Sequence, residues 1–226
     1  MNKRSIKAFT LVEVLVTLTI IGVIAALTIP TLNQNTKNNE MVSGCLKAYS
    51  TLAGAVNRMK VDYGPVGFGN KWNNAAIFWK GENGDYKEGF VAQLNTVKVC
   101  DTGEKGCFWD GIPKKLSGGA HSNSYDGYKY TVRTTDGMSF NYSTTDCGGK
   151  GLSAERLAKC MGRFVVDVNG DKGPNRFGYD MFFFALIKGE GVIPAGADDG
   201  SSDCKKGGAG VTCAAKVINE KKIDIK

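Results

Sequence analysis

The N-terminal part of the chain carries two successive hydrophobic patterns. An apolar run of 24 residues over 9–32 contains a single charge, that of Glu13. A run of about 20 apolar residues suffices for a helix to cross a bilayer. After the polar stretch 33–40, apolar residues recur at spacings of three and four, at Met41, Cys45, Tyr49, Leu52, Val56, Met59 and Tyr63. The patterns predict a membrane-spanning helix over 9–32 that continues as an amphipathic helix over 33–63.

Two residues within the apolar run need an explanation. Pro30 has no backbone N–H, so it should bend the helix. Glu13 is unfavourable inside a bilayer, and ionisable residues in such segments usually have a function. The alternative is that Glu13 only extends toward the cytoplasmic headgroups, in a position near a helix N-terminus where the macrodipole favours an acid.

Beyond residue 63 the pattern predicts an α+β head over 64–226 with an antiparallel sheet. Two alternating runs flank Asp136-Gly137, which predicts a β-hairpin with a type I′ turn. Residues 163–187 indicate two strands around a polar loop, and Ser153 should open a short helix. We also expect a short helix within 87–100. The Gly- and Lys-rich tail from residue 189 should be partly disordered.

The composition supports a folded head, and the net charge does not decide whether the chain binds nucleic acid or an anionic surface. The 30 glycines against 5 prolines favour a loop-rich, β-containing fold, and 42% hydrophobic residues allow a core. The net charge is +7, but Lys3, Arg4 and Lys7 precede the apolar run. Without these three residues the chain has 26 basic and 22 acidic side chains. This small excess of positive charge is compatible with binding to nucleic acid or to an anionic surface, and equally with an ordinary solvent-exposed surface. The basic flank places the N-terminus in the cytoplasm.

The cysteines indicate a disulfide framework if the head lies outside the cytoplasm. Six of the seven follow residue 99, and six cysteines allow 15 connectivities. We favour pairs between sequence neighbours, while buried free thiols in a cytosolic protein are the alternative. Cys45 lies on the apolar helix stripe and should be the unpaired cysteine. The favoured pairs are Cys100–Cys107, Cys147–Cys160 and Cys204–Cys213.

The sequence does not indicate an enzyme, and we predict no catalytic residues. It contains no GxSxG, HExxH or Walker motif, and it has a single histidine, His121. One histidine makes a serine–histidine or metal hydrolase difficult to build. His121 lies in a Gly- and Ser-rich loop, where we expect it to be exposed.

The N-terminal stretch KRSIKAFTLVE resembles the processing site of type IV pilins and type II secretion pseudopilins. The resemblance implies that prepilin peptidase cuts between Ala8 and Phe9 and methylates the new N-terminus. Glu13 then becomes the fifth mature residue, the glutamate position of the family, and Pro30 matches a helix-bending proline. A cleaved secretory signal and a permanent membrane anchor are the alternatives.

The resemblance also implies a function, a topology and partners. Residues 1–8 would be a leader, and the chain a single-pass inner-membrane protein with an extracytoplasmic head. Glu13 would pair with the freed α-amine of a neighbouring subunit in a pilus or a secretion pseudopilus. The partners would be prepilin peptidase, other subunits and the inner-membrane assembly platform. The alternatives are a membrane-anchored binding protein that never polymerises, and a minor pilin for DNA uptake, which would bind nucleic acid.

One loop resembles a calcium-binding segment, although no cofactor is required. Oxygen-bearing residues alternate in DVNGDKGPN as at the start of an EF-hand loop, but the glycine at position six and the glutamate at position twelve are missing. Some pseudopilins bind calcium in a loop of the head. The alternative is an Asn-Gly turn capped by its own side chains. The candidate ligands are Asp167, Asn169, Asp171, Asn175 and Asp180.

Overall fold

The computed structural model describes residues 10–121, 124–145, 147–148, 151–198 and 203–223. The chain divides into two compact units, Met1–Asn39 and Glu40–Lys226, and we call the second the head unit. The helices are α1 (Leu11–Tyr63), α2 (Asn70–Asn73), α3 (Ala75–Lys80), α4 (Ala154–Ala158) and α5 (Cys213–Glu220), with a 3₁₀ turn at Val91–Gln93. The strands are β1 (Thr96–Cys100), β2 (Thr131–Thr134), β3 (Ser139–Ser143), β4 (Cys160–Asp167), β5 (Met181–Ile187) and β6 (Gly191–Pro194).

Helix α1 confirms the predicted long N-terminal helix. It continues through Pro30 without a break in helical assignment, and the predicted bend at Pro30 stays a prediction. Its apolar stripe within the head unit is confirmed as well, because the side chains that face the core recur every three or four residues. The buried positions are Met41, Val42, Cys45, Ala48, Leu52, Ala55, Val56 and Met59.

The sheet of the head unit is fully antiparallel, and its six strands lie side by side in chain order. The predicted α+β class and antiparallel sheet are therefore confirmed. Strand β5 is buried at all seven positions, so the sheet is covered on both faces there. A strand buried on both faces is apolar throughout rather than alternating, which explains the sequence MFFFALI.

The two faces of the sheet pack against different parts of the head unit. One face, which includes Phe164 of β4 and Phe184 of β5, joins the core formed with α1. The other face, which includes Val165 and Phe183, packs under loops that contribute Phe108 and Phe177. The largest hydrophobic core thus lies between α1 and the sheet.

An aromatic cluster fills the end of this core and depends on α3, which the sequence reasoning missed. The side chain of Asn74 caps α3 by accepting hydrogen bonds from the N–H groups of Ala76 (3.0 Å) and Ile77 (3.3 Å). The helix buries Phe78 and Trp79. These two rings contact a group of neighbouring rings at centroid distances of 4.7–6.2 Å, contributed by Phe90, Tyr130, Tyr142, Phe164 and Trp72.

The predicted hairpin exists between β2 and β3, but its predicted turn type is wrong. A type I′ turn needs positive φ at both central residues. Here Gly137 has φ 86°, whereas Asp136 is not among the residues with positive φ. Thr134 and Met138 close a three-residue loop through an N–H···O bond of 2.9 Å, and the N–H of Gly137 donates to the carbonyl of Thr134 at 3.0 Å. The hairpin therefore has a three-residue loop, which consists of a type I turn followed by Gly137 in the left-handed conformation, instead of the two-residue type I′ turn.

One further expectation from the sequence is wrong, and one stays untested. Residues 87–100 do not form a helix, since the 3₁₀ turn is followed by strand β1. The described part of the tail supplies β6 and α5, and its partial disorder stays a prediction. The short helix opened by Ser153 is confirmed, and its side chain accepts the N–H of Arg156.

All three predicted disulfides are confirmed, and each closes a short loop of the head unit. Cys45 is free and buried, as expected from its place on the apolar stripe. Burial raises the pKa of its thiol well above the ordinary value, because the apolar surroundings disfavour the thiolate.

Candidate functional site

The N-terminal half of α1 exposes apolar side chains along its whole length. Leu11, Leu15, Leu18 and Ile21 are each more than half exposed, and an 18-residue window of the helix has a mean hydropathy of 2.4. Among the described residues, α1 is the one helix long and apolar enough to cross a membrane. Such a surface is compatible with a membrane anchor, and it is also available for contact with other helices.

Glu13 lies in the first turn of α1 and forms a capping box with Thr10. One carboxylate oxygen accepts hydrogen bonds from the backbone N–H and from the hydroxyl of Thr10, both at 2.8 Å. In return, the Thr10 hydroxyl oxygen accepts the N–H of Glu13 at 3.3 Å. Reciprocal bonds of this kind satisfy the open N–H groups at the start of a helix.

The role of Thr10 was missed at the level of the sequence, although its signal is present there. Thr10 precedes Glu13 by three residues, which is the spacing of the capping box. No basic side chain among the described residues forms an ion pair with Glu13. The carboxylate therefore has hydrogen-bond donors within its own chain but no described counter-ion. The predicted processing residues, Ala8 and Phe9, lie outside the described residues.

The threonine hydroxyls of the apolar segment donate to their own helix. Those of Thr17, Thr19 and Thr28 donate to the carbonyls of Val14, Leu15 and Ile24 respectively, at 2.8–2.9 Å. A hydroxyl bonded in this way has already used its donor. Glu13 is the only charged side chain within residues 9–32. With the threonine hydroxyls already bonded, it is the group through which this segment can form an ion pair with a partner.

The five candidate metal ligands all lie in or beside the loop between β4 and β5. Asp167 and Asp180 are fully buried at the two ends of the loop. Antiparallel pairing brings these ends together, because the N–H of Val168 donates to the carbonyl of Asp180 at 2.9 Å. The carboxylate of Asp180 accepts the N–H groups of Asn175 (2.8 Å) and Arg176 (2.6 Å).

The side-chain amide of Asn175 lies at the centre of a group of oxygens. Asp167 Oδ2, the carbonyl of Gly170 and the carbonyl of Lys172 lie at 3.1, 3.2 and 3.3 Å from one atom of this amide. If the amide nitrogen points toward the oxygens, it donates to all three. If the amide oxygen does so, four oxygens face one another, which is the environment of a hard cation such as Ca²⁺.

Asn169 adds a second observation that fits a cation, whereas Asp171 is engaged elsewhere. The side-chain Oδ1 of Asn169 is buried and has no hydrogen-bond partner within the described residues. Asp171 instead forms two 2.6 Å bonds with the guanidinium of Arg133 on β2. Across the described ranges no group of three or more His, Cys, Asp or Glu side chains has a metal-binding arrangement. A cation here would therefore need carbonyl and amide oxygens in addition to the carboxylates of Asp167 and Asp180.

The electrostatics of the loop differ among its carboxylates. Burial, followed by the nearby charge of Asp180, raises the pKa of Asp167 well above its ordinary value. Burial also raises the pKa of Asp180, against the backbone N–H groups that it accepts. The hydrogen bonds from Arg133 lower the pKa of Asp171. The loop thus holds two carboxyl groups that resist ionisation unless a positive charge arrives.

We expect Asp167 to contribute a loss of stability to the calcium-free chain as the pH rises from about 4 to the raised pKa of this residue. In the unfolded chain this carboxyl group titrates near 3.9, while in the folded chain it keeps its proton to higher pH. The folded state therefore binds more protons in this interval, and raising the pH favours unfolding. In denaturant titrations at several pH values in a chelator, the free energy of unfolding of the wild type should fall relative to that of Asp167→Asn as the pH rises through this interval. Equal slopes would contradict the assignment to Asp167.

His121, the single histidine of the chain, is partly buried. The expectation that it would be exposed is therefore wrong. Its ring lies 4.7 Å from that of Phe177 and 6.4 Å from that of Tyr125. His121 thus packs against the aromatic cluster on the second face of the sheet. Among the described residues it belongs to no group of three or more His, Cys, Asp or Glu side chains that could hold a metal ion.

A match to a known protein family falls on the N-terminal segment. The family model for the prokaryotic N-terminal methylation motif matches residues 3–29. Searches of curated proteins and of solved structures returned no match. The matched segment contains Thr10 and Glu13 and covers most of the exposed apolar part of α1. The chain therefore carries the prokaryotic N-terminal methylation motif, the signature of type IV pilin-like and pseudopilin precursors.

Proposed function

We propose that this chain is a structural subunit that is cleaved after Ala8, methylated on the amine of Phe9 and polymerised into a type IV pilus-like filament or a type II secretion pseudopilus. The methylation motif at residues 3–29 carries this proposal. The exposed apolar helix with a single carboxylate near its start supports it. Residues 1–8 would be the leader, 9–32 the membrane and assembly segment, 33–63 its amphipathic continuation, and 64–226 the head.

The chemistry of assembly follows from charge pairing in a medium of low dielectric constant. Cleavage between Ala8 and Phe9 creates an α-amine close to the membrane surface. A buried carboxylate paired with an ammonium group is far less costly than either group alone. Glu13 of an incoming subunit can pair with the amine of a neighbouring subunit, which favours the correct axial register. Pro30 would bend the helix where it leaves the membrane segment.

The proposal assigns partners and a location. Prepilin peptidase would process the chain, and other pilin or pseudopilin subunits and an inner-membrane assembly platform would bind it. The precursor would span the inner membrane once, with its N-terminus in the cytoplasm and its head outside, before it enters the filament. The chain itself would perform no catalysis.

Polymerisation can be tested by shearing cells that express a tagged chain together with the complete assembly machinery. We expect the tagged chain in the sheared high-molecular-mass fraction, and we expect it to be missing there when the peptidase is deleted. A chain that stays entirely in the membrane fraction with an intact machinery would instead support the anchored binding protein. Selective retention of DNA by the sheared filaments would favour the minor pilin for DNA uptake.

We also propose that the loop between β4 and β5 can hold a calcium ion. Asp167, Asn169, Asn175 and Asp180 would supply oxygens, and Asp171 could join them if it released Arg133. The unpartnered Oδ1 of Asn169 supports this assignment. The positive ion would remove the unfavourable contact between two buried carboxylates.

Calcium should therefore raise the melting temperature of the detergent-solubilised chain relative to a chelator. At about 100 times the dissociation constant, a ligand adds about 2.7 kcal/mol. For a protein of this size that corresponds to a shift of about 5–10 °C. Asp167→Asn should abolish the shift, whereas Asp110→Asn, on an exposed carboxylate outside the loop, should retain it. No shift of the wild type at millimolar calcium would exclude the site.

A further inference from the structure

A shallow depression on the head unit combines one indole ring with several charged side chains. Its volume is about 500 Å³. None of its lining residues belongs to the apolar segment of α1. Asp171 is the one lining residue from the candidate calcium loop, and it is turned toward Arg133. The lining residues that matter here are Lys105, Trp109, Asp110, Asp126, Arg133 and Asp171.

The position of the indole is fixed by its own loop. A Cβ atom built on Gly111 would lie 2.4 Å from Cη2 of Trp109, so the ring rests directly on the backbone of this glycine. The preceding loop is closed by the disulfide Cys100–Cys107. The ring is therefore held in place before any ligand arrives, which lowers the entropic cost of binding.

The charged groups around the indole each have a hydrogen-bond or ion-pair partner. One oxygen of Asp126 accepts the N–H groups of Gly106 (2.8 Å) and Phe108 (3.2 Å). Lys105 pairs with Asp110 at 3.1 Å, and the Arg133–Asp171 pair has two bonds of 2.6 Å. The ion pairs leave further acceptor lone pairs and ammonium donors available to a ligand.

The composition of the lining restricts the chemistry of that ligand. Three carboxylates against two basic groups give a net negative lining, which disfavours phosphate-bearing ligands and nucleic acid. A purely apolar ligand would desolvate five charged side chains without replacing their hydrogen bonds. A ligand that suits both parts of the lining needs an apolar face for the indole and many neutral hydroxyl groups for the charged side chains.

We propose that this depression is a binding site for a neutral saccharide. The C–H face of a pyranose ring stacks on Trp109, and its hydroxyl groups donate to Asp126 and Asp110 and accept from Lys105. A site of this volume accommodates one or two sugar rings. The proposal is independent of filament assembly, because all the groups involved belong to the head unit.

The proposal is tested with the detergent-solubilised full chain on an array of neutral, sialylated and sulfated glycans. We expect binding to at least one neutral glycan, with affinity reduced about tenfold or more by Trp109→Ala. Trp109→Phe, which keeps an aromatic ring, should lose less. Lys105→Ala, at an exposed side chain, provides a second variant that does not alter the ring and should weaken binding about threefold.

Phe68→Ala is the matched control, because Phe68 is an aromatic residue of the head unit that is 56% exposed and does not line the depression. It should bind like the wild type. The proposal is overturned if no neutral glycan binds at millimolar concentration, if only the anionic glycans bind, or if Trp109→Ala and Lys105→Ala both retain the wild-type affinity. Circular dichroism and melting of each variant show that the fold is retained.

Discussion

Replacing Glu13 by Ala should leave membrane insertion intact and remove the chain from filaments. The apolar segment becomes more hydrophobic without the carboxylate, so insertion should not suffer. Assembly, in contrast, would leave the ammonium group of a neighbouring Phe9 buried without a counter-ion, which is strongly unfavourable. We expect the sheared filament fraction to contain about 1% or less of the wild-type amount of subunit. Quantitative immunoblots of membrane and sheared fractions provide the measurement.

Two matched variants separate the charge of Glu13 from its capping role. Glu13→Gln keeps an oxygen that can accept both bonds from Thr10 but removes the charge. Thr10→Ala removes the two capping bonds of the Thr10 hydroxyl, and it keeps the backbone bond to Glu13 and the charge. If charge pairing drives assembly, Glu13→Gln should fail like Glu13→Ala, and Thr10→Ala should assemble at a reduced level. Normal filaments from Glu13→Gln together with none from Thr10→Ala would show that capping, and not charge, is what assembly requires.

Truncating Phe164 should cause the largest loss of stability in the head unit. This side chain is fully buried, and its ring lies 4.9 Å from Phe90 and 5.0 Å from Tyr142. Replacing a buried Phe by Ala costs about 3–5 kcal/mol, through lost transfer energy and the cavity left behind. Since domains are stable by only about 5–15 kcal/mol, the melting temperature should fall by roughly 10 °C.

The control for this variant is Val97→Ala on the edge strand β1, where the side chain is 69% exposed. An exposed position of this kind should change stability by no more than about 0.5 kcal/mol. Thermal melts of both variants in the same detergent and with the disulfides intact provide the comparison. A shift below about 2 °C for Phe164→Ala would mean that the aromatic cluster is not a cooperative part of the core.

The hydrophobic pattern of the sequence was sufficient for the parts of the fold that depend on local periodicity. The stripe from Met41 to Met59 repeats at helical spacing, and its buried face could be read directly. The three disulfides followed from neighbouring cysteines in Gly-rich loops. Burial of β5 on both faces could not be foreseen, since it depends on which loops cover the second face of the sheet.

The sequence-based predictions were wrong where one segment fits both a helix and a strand pattern. They were also wrong where a residue distant in sequence determines the local conformation. Phe90, Leu94 and Val97 have helical spacing, yet residues 96–100 form a strand because β2 pairs with them. The loop after β2 was assigned the shortest hairpin turn, but Asp136 pairs with Lys47 of α1 at 2.8 Å, an interaction absent from the hairpin sequence. Helix α3 could have been found from Asn74, a preferred N-cap residue ahead of AAIFWK.

For the candidate sites, the sequence identified the residue types but not their partners. Glu13 was identified by its place in an apolar run, while its bonds to Thr10 emerged only from the helix geometry. Asp167 and Asp180 are thirteen positions apart and meet because β4 and β5 are antiparallel. The diversion of Asp171 to Arg133 depends on the position of β2, which no spacing within the loop reveals.

The central claim is that processing frees the amine that Glu13 needs as its counter-ion. Mass spectrometry of the N-terminal peptide, from chain recovered out of cells with an active prepilin peptidase, tests it most directly. The account predicts a peptide that begins at Phe9 and carries one methyl group on its α-amine. Functional filaments built from a chain that still begins at Met1 would contradict it.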